Sequence, residues 1–477
     1  TKEARIAAEG GEKFHEQKRF LSAKFHSALT SPIEEARLTA TQRERLGNWL
    51  IANQDTKGKP GWSLEAPLKR VADKIHANIK AIADELNAGG LKIHRGDDFT
   101  EIKKASWGYY PMNMSEDAIR TLTHGTPEAV EKIGKMWQEH AIKKGATPAE
   151  AKAEWKAYRE GLAFRARDIT GDIDYGPLSK AMGRGLPKEL VERDPLRNLE
   201  RYARRAGAAF SYHKNISNVP EVAHVLSMKG PTDQYYNLPD LGQVHEKLEA
   251  QEMMRSIFGV TDQHNMPNMM AASRLLSSGI LGTGTAVRNL AAIPTQIAAF
   301  KGVAPATSAA VKELWSNYSE LHKRALAAGS VRKSYKSFDV PINEDYDVAL
   351  NRWQNFAAKA HNLLRTVSGR NLSDQIEGMF YHALGENLTT AKIQTKSDLE
   401  FLRKFGKTVD NLESKISDPA KFTAEDVQKL ASSFVDTVRG SYDARQLPTM
   451  AMRGQLAPFF ALNRWNIGKA NTMVRDL

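Results

Sequence analysis

Four arginines near the middle of the chain form the strongest candidate for ligand binding. Arg201, Arg204 and Arg205 follow Arg197 at four, seven and eight residues, so on a helix all four side chains share one face. Guanidinium groups arrayed in this way can bind several phosphates of a nucleic acid, with an affinity that depends on salt. The same spacing is typical of a solvated helix face that pairs with acidic neighbours. The sequence leaves both interpretations open.

Three carboxylates, Asp168, Asp172 and Asp174, are close enough in the sequence to offer oxygen ligands to a hard cation. An EF-hand loop counted from Asp172 would need a glutamate at its last ligand position, where the chain has Gly183. Aspartates that cap a solvated turn also explain the pattern. These residues are therefore weak candidates for a metal site, and we expect the protein to use no metal and no cofactor.

Other sequence patterns of enzymes are incomplete. Gly406-Lys407-Thr408 resembles the end of a phosphate-binding loop, but Phe401 stands where such a loop has a glycine, so a helix end is predicted there. Glu413-Ser414 matches the catalytic pair of lytic transglycosylases without the downstream motifs of that family. The 13 histidines are scattered singly, and no pair has the spacing that places two imidazoles on one helix face. The sequence predicts a protein without catalytic residues.

A segment with few charges spans residues 275–311, where Arg288 and Lys301 are the only charged side chains. A transmembrane helix needs about 20 unbroken apolar residues, and Arg288 and Pro294 interrupt this segment. It fits either a buried helical hairpin or a segment that enters a membrane conditionally, where its small residues would allow close helix packing. The side chains that would contact the membrane are Leu275, Leu276, Ile280, Leu281, Val287, Ile293, Ile297 and Phe300.

Length and composition indicate a folded chain with a sizeable core. The chain has 477 residues, 41% of them hydrophobic and 26% charged, which suits two to four domains. The net charge of +12 favours contact with phosphate, in nucleic acid or in anionic lipid. Cysteine is absent, which excludes disulfides, thiolate metal sites and a cysteine nucleophile.

The spacing of apolar residues predicts helices almost throughout. Three segments, at 65–86, 345–367 and 372–384, have apolar side chains at steps of three and four residues. Helix starts are predicted at Asp194-Pro195, at Ser373-Asp374 and at Thr423. We expect a mainly α protein with an extended multi-helix architecture and little or no β-sheet. Three regions are predicted: a helical N-terminal region over 1–185, a middle region over 186–330 that contains the arginines and the low-charge segment, and a helical C-terminal region over 331–477.

Three segments in a fixed order resemble the large internal virion proteins of tailed bacteriophages, also called ejection or polyvalent proteins. The segments are Arg193–Phe210, then Leu275–Asn289 leading into Leu290, and Met452–Trp465 with the sequence Met-Arg-Gly-Gln-Leu-Ala-Pro-Phe-Phe-Ala-Leu-Asn-Arg-Trp. The resemblance covers about residues 185–477, and the first part of the chain adds only its helical character.

The resemblance implies a protein that is packed in the capsid near the portal and leaves with the genome. Such proteins help to form a conduit for DNA across the host cell envelope. The implied partners are further copies of the chain, other internal, portal or tail proteins, DNA and the host membrane. Some relatives carry a transglycosylase or RNA polymerase domain, but the motifs of both are missing here, so the chain is expected to be a non-catalytic segment of a longer protein.

Two further hypotheses stay open beside this one. The chain can be a DNA-binding or DNA-packaging virion protein without a channel role, in which case Arg197, Arg201, Arg204 and Arg205 would carry the binding. It can also be an all-α enzyme domain of a new type, in which case Asp168, Asp172 and Asp174 would be the first residues to test.

Overall fold

The computed structural model describes residues 2–55, 60–91, 109–156, 186–220, 304–331, 360, 363–364, 366–367, 370–390 and 396–439. Helices contain 79% of these residues, and no β-strand occurs among them. Their only β-type pairing is an isolated antiparallel bridge between Met114 and Val191. The prediction of a mainly α fold is confirmed. The extended architecture and the division into three regions remain predictions.

The described residues include twelve α-helices with defined bounds. They are α1 (Lys2–Glu35), α2 (Ala40–Asp55), α3 (Ala66–Ala88), α4 (Glu116–His124), α5 (Pro127–Lys143), α6 (Pro195–Tyr212), α7 (Ala304–Ser316), α8 (Tyr318–Ala327), α9 (Arg370–Thr389), α10 (Lys396–Phe405), α11 (Leu412–Ser417) and α12 (Ala424–Arg439). Residues 148–156 are also helical. A π-helical turn, His213–Ser217, continues α6, and short 3₁₀ turns lie at Lys188–Leu190 and Pro419–Lys421.

The apolar stripe predicted over residues 65–86 is confirmed in α3. Its side chains at steps of three and four residues are all buried, because the 3.6-residue period brings them to one face. They are Leu68, Val71, Ile75, Ile79, Ile82 and Leu86. The helix ends at Ala88 with Gly89 as its C-cap, and Gly90 follows with a φ of +87°, a conformation that glycine adopts without strain.

Two of the three predicted helix starts are confirmed by their caps. The Asp194 carboxylate accepts a hydrogen bond from the Leu196 N–H at 3.0 Å, with Pro195 at the first helical position of α6. At the start of α12 the Thr423 hydroxyl accepts from the Asp426 N–H at 3.2 Å, and the Asp426 carboxylate accepts from the Thr423 N–H at 2.9 Å. This reciprocal pair is a capping box with aspartate in the usual place of glutamate.

The third predicted start, at Ser373-Asp374, is wrong. Helix α9 already begins at Arg370, and Ser373 and Asp374 are buried polar residues inside its first turns. Leu372, predicted for the apolar stripe, is 56% exposed, whereas Met379, Phe380 and Leu384 of the same stripe are buried. The helix therefore turns a polar side inward at its N-terminal end, which single-helix periodicity does not reveal. Most of the helix predicted over 345–367 lies outside the described residues.

The chain forms two compact units, each discontinuous in sequence. The first unit comprises residues 1–6, 25–248 and 344–351, and the second comprises 7–24, 249–343 and 352–477. In the first unit, α2 packs against α3 and α6. Gly47 of α2 permits this approach, because a Cβ atom there would lie 1.8 Å from the Arg193 carbonyl oxygen.

The second unit has a core of aliphatic and aromatic side chains around α9. This helix packs against α7, α8 and α12. The rings of Tyr381 and Phe434 meet edge to face with centroids 6.0 Å apart, and those of Phe405 and Phe434 do the same at 5.3 Å. Met379, Leu384 and Leu430 are fully buried in the same cluster.

Candidate nucleic-acid interface and buried polar network

The arginine-bearing helix α6 is fixed on its apolar side. Leu199, Ala203, Ala206 and Phe210 are buried, as their spacing predicts. The Phe210 ring packs so closely on Gly89 that a Cβ atom there would lie 2.1 Å from it. The face that carries the arginines therefore has a defined orientation in the first unit.

The structure gives the four arginines different surroundings. Arg197 is exposed. The Arg201 guanidinium donates to the Met114 carbonyl oxygen, and the Arg204 guanidinium donates to the Glu200 carboxylate one turn earlier. The side chain of Arg205 lies outside the described residues. Arg201 and Arg204 thus have protein partners that a nucleic acid would have to displace or share.

Two further arginines, Arg193 and Arg43, lie at the N-terminal end of α6. Arg193, just before the helix, has a half-exposed side chain with its guanidinium 4.0 Å from the Glu44 carboxylate. Arg43 lies 3.4 Å from the Asp194 carboxylate that caps the helix. The exposed positive charge therefore concentrates at Arg193 and Arg197, and these two residues form the described part of the candidate nucleic-acid interface.

Asn198 of α6 forms a buried amide pair with Asn113, which periodicity alone did not reveal. The Asn113 side chain donates to Asn198 Oδ1 at 2.7 Å and to the Asn198 carbonyl oxygen at 3.1 Å. Asn198 in turn donates to the Pro111 carbonyl oxygen and accepts from the Asn113 backbone N–H at 3.2 Å. This pair satisfies backbone groups that have no helical partner, and it joins the segment before α4 to α6.

Two tyrosines next to this pair are fully buried. Burial raises the pKa of Tyr110, and the nearby Asn198 side chain offsets only part of the effect. Burial also raises the pKa of Tyr202. Both phenols therefore stay neutral through the physiological range, and they act as packing side chains in this unit.

The second unit contains a buried polar network centred on Glu386. Arg324 donates to the two oxygens of the Glu386 carboxylate from Nε at 3.1 Å and from Nη2 at 3.0 Å. Arg324 also pairs with Glu313, and Gln428 donates to Glu386. Burial by itself raises the pKa of Glu386, but the adjacent His382 and Arg324 outweigh it and lower the pKa to about 2.

A serine and a histidine extend this network. Ser330 Oγ lies 2.8 Å from His382 Nδ1, and His382 Nε2 lies 3.2 Å from Glu386 Oε1. The order serine, histidine, carboxylate is that of a hydrolytic triad. However, the Ser330 residue is only 3% exposed and His382 is 0% exposed, so a substrate has no access to the hydroxyl. The arrangement links α9 to the end of α8 and functions as a structural tie.

A further tie joins the 7–24 part of α1 to the rest of the second unit. Arg19 Nη2 donates to the Ser432 carbonyl oxygen at 2.6 Å and to its hydroxyl at 2.7 Å, while that hydroxyl donates to the Ala328 carbonyl oxygen at 2.7 Å. Lys24 pairs with Glu425 at 2.8 Å. These groups connect α1, α12 and the end of α8.

A cleft of about 640 Å³ opens along α5 in the first unit. Its apolar wall includes Val130 and Trp155, and its rim carries the exposed pair of Glu131 and Lys135, whose charged atoms are 3.1 Å apart. Gly134 lets the Trp155 indole approach the helix, because a Cβ atom there would lie 2.7 Å from Nε1. The cleft offers apolar surface and no converging set of reactive groups among its lining residues.

The remaining sequence predictions have different outcomes. Gly406 ends α10 as predicted, with its N–H donating to the Leu402 carbonyl oxygen at 2.8 Å. Glu413 forms an exposed pair with Arg403, from which two guanidinium nitrogens donate to its carboxylate. Asp168, Asp172 and Asp174 lie outside the described residues, as do all eight candidate membrane-contacting side chains, which are Leu275, Leu276, Ile280, Leu281, Val287, Ile293, Ile297 and Phe300.

Searches of the described part of the chain found no helix long and apolar enough to cross a membrane, and no group of three or more histidine, aspartate or glutamate side chains placed to hold a metal ion. Comparisons with protein-family models, curated proteins and solved structures gave no match to this chain.

Proposed function

We propose that this chain is a non-catalytic segment of a tailed-phage internal virion protein, which leaves the capsid with the genome and helps to form a conduit for DNA across the host envelope. The observation that carries the proposal is that polar and charged side chains that could do chemistry are hydrogen-bonded to other helices and segments. Ser330, His382, Glu386 and Arg324 join helices of the second unit, and Arg201 and Asn198 join segments of the first. These groups serve to hold helices together.

The physical demands of ejection agree with this composition. A protein that passes through a narrow tail must unfold at least in part and refold on the far side. Helical contacts are mostly local in sequence and refold quickly. The absence of cysteine means that no disulfide can form in an oxidising periplasm and trap a partly folded chain. The order of the three phage-like segments is the remaining support.

The proposal is tested by locating the polypeptide in virions. Mass spectrometry of purified particles before and after genome release should find the chain in full particles and depleted from emptied ones. A chain that is present in neither population would end the proposal. The channel role has its own test: the refolded protein should release dye from anionic liposomes, and intact liposomes under every refolding condition would argue against it.

A DNA-binding virion protein without a channel role is the second candidate, and the exposed pair Arg193 and Arg197 favours it. Replacing both arginines by glutamate should lower the slope of log affinity against log salt by about two, since each lost phosphate contact removes about one counterion. The matched control is the same replacement at Arg403, which pairs with Glu413 in the other unit. An unchanged slope would contradict DNA binding at α6.

A further inference from the structure

The corner between α7 and α8 exposes large apolar side chains. Trp315 is 84% exposed, Val311 is 41% exposed and Tyr318 is 43% exposed. Val311 and Trp315 are one helical turn apart, so they lie on the same side of α7. Every residue from Trp315 to Glu320 is exposed, which makes this corner a projecting part of the second unit.

The corner is held by the core beneath it. Ala310 and Leu321, on either side of the exposed residues, are fully buried. Arg324 of α8 pairs with Glu313 of α7 and so ties the two helices across the turn. The Tyr318 ring stacks on His322 with centroids 6.1 Å apart and planes 7° apart. The exposed aromatics therefore belong to folded helices.

The charges near the corner favour a negatively charged partner. Among the described residues 304–312 the one charged side chain is that of Lys312, and none is acidic. Of the acidic groups that follow, Glu313 pairs with Arg324 and Glu320 with Lys323. Lys312, which is exposed between Val311 and Trp315 in the sequence, adds positive charge directly beside the apolar patch.

We propose that Val311, Lys312, Trp315 and Tyr318 form a docking corner for the surface of an anionic lipid bilayer. Tryptophan and tyrosine favour the level of the lipid headgroups, because their rings are apolar and their N–H or O–H groups still reach water. Lysine beside them is attracted to the negative surface potential of such a bilayer.

This inference deepens the proposed function by naming the surface with which the chain meets the envelope. It differs from insertion of the low-charge segment, because the docking corner stays folded and binds at the headgroup level. Docking of the folded chain should therefore not by itself release vesicle contents, whereas dye release after refolding reports on the low-charge segment.

The test compares binding of the full chain to vesicles with phosphatidylglycerol and to vesicles of phosphatidylcholine alone. Changing Trp315 and Tyr318 together to serine should weaken binding to the anionic vesicles by ~10-fold or more, as expected from the loss of two interfacial aromatics. Lys312→Gln should reduce the preference for anionic lipid. Trp62→Ser is the matched control, because Trp62 is 38% exposed in the other unit, and it should leave vesicle binding unchanged.

The outcomes separate the alternatives. Equal vesicle binding by the wild type and the double variant, with matching urea unfolding curves, would overturn the docking corner and leave the proposed function standing. If the double variant dissociates an oligomer that the wild type forms in sedimentation velocity, and its vesicle binding is unchanged, the patch binds a second copy of the chain. That result would also overturn the docking corner. A polypeptide that is missing from virions would end the proposed function whatever the vesicles show.

Discussion

The Arg324 guanidinium binds both oxygens of the Glu386 carboxylate and so joins α8 to α9 across 62 residues of sequence. The carboxylate is the more enclosed partner, with 12% of its side chain exposed against 34% for the arginine. Two parallel hydrogen bonds fix the orientation as well as the distance of the pair. Loss of the arginine would leave a mostly buried negative charge, with His382 and Gln428 as its remaining neighbours among the described side chains.

Arg324→Leu should therefore destabilise the second unit by about 2–3 kcal/mol, below the full cost of breaking a buried pair because the guanidinium is partly exposed. The measurement is the free energy of unfolding in urea at neutral pH. Arg403→Leu breaks the exposed pair with Glu413 and should cost much less, because water already solvates both charges. If both variants lose the same free energy of unfolding, the buried pair stabilises the protein no more than the exposed pair.

The stability of the first unit should depend on pH through His76. Burial lowers the pKa of this imidazole to about 4, with Asp73 raising it and Lys69 lowering it as smaller effects. The unfolded chain binds the proton at its ordinary pKa of 6.5, so stability is full above that pH and declines as the pH falls from 6.5 toward 4. We expect a loss of about 2 kcal/mol between pH values of about 7 and about 4.5.

His76→Gln should abolish this loss, as measured by urea unfolding at the two pH values. Glu386→Gln is the control. Because the pKa of Glu386 is lowered from 4.5 to about 2, its contribution to stability is lost only as the pH falls below 4.5. The Glu386 variant should therefore keep the loss seen in the wild type above pH 4.5. If the His76 variant loses as much stability as the wild type, the imidazole is not the responsible group.

The buried amide pair should be needed for the first unit. Asn198→Ala would remove the side-chain donor to the Pro111 carbonyl oxygen and the side-chain acceptor of the Asn113 backbone N–H. Unpaired buried polar groups and the small cavity together should cost about 2–4 kcal/mol. Asn218→Ala is the control at an exposed asparagine and should change the free energy of unfolding by less than about 0.5 kcal/mol. A small effect at Asn198 would mean that water replaces the amide.

Helices α9 and α12 should require glycine where they cross. A Cβ atom at Gly385 would lie 2.8 Å from the Ala431 Cα atom, which is backbone and cannot rotate away. Gly385→Ala should thus move the helices apart and cost about 1–3 kcal/mol in thermal or urea unfolding. Gly61→Ala meets no atom within 4 Å, so it should leave stability nearly unchanged. Comparable melting temperatures for the two variants would contradict the close approach.

Local features of the fold followed from the sequence. The stripe of α3 was predictable because one helix repeats every 3.6 residues, and so was the buried side of α6. Asp194-Pro195 and Thr423 marked helix starts because a cap needs only its own next three residues. Ser373 was wrongly predicted to start a helix, and Leu372 was wrongly predicted to be buried. Which side of α9 is buried there depends on the helices that pack beside it.

The chemistry of the side chains was decided by tertiary structure. Asn113 and Asn198 are 85 residues apart, and Arg201 finds its carbonyl partner 87 residues away at Met114. Spacing along one helix places Arg201 and Arg204 on the same face as Arg197, but it carries no information about carbonyl and carboxylate groups from other parts of the chain. The sequence by itself determined where helices form and which sides turn inward. Only packing decided which polar groups join them, because those partners meet after the chain has folded.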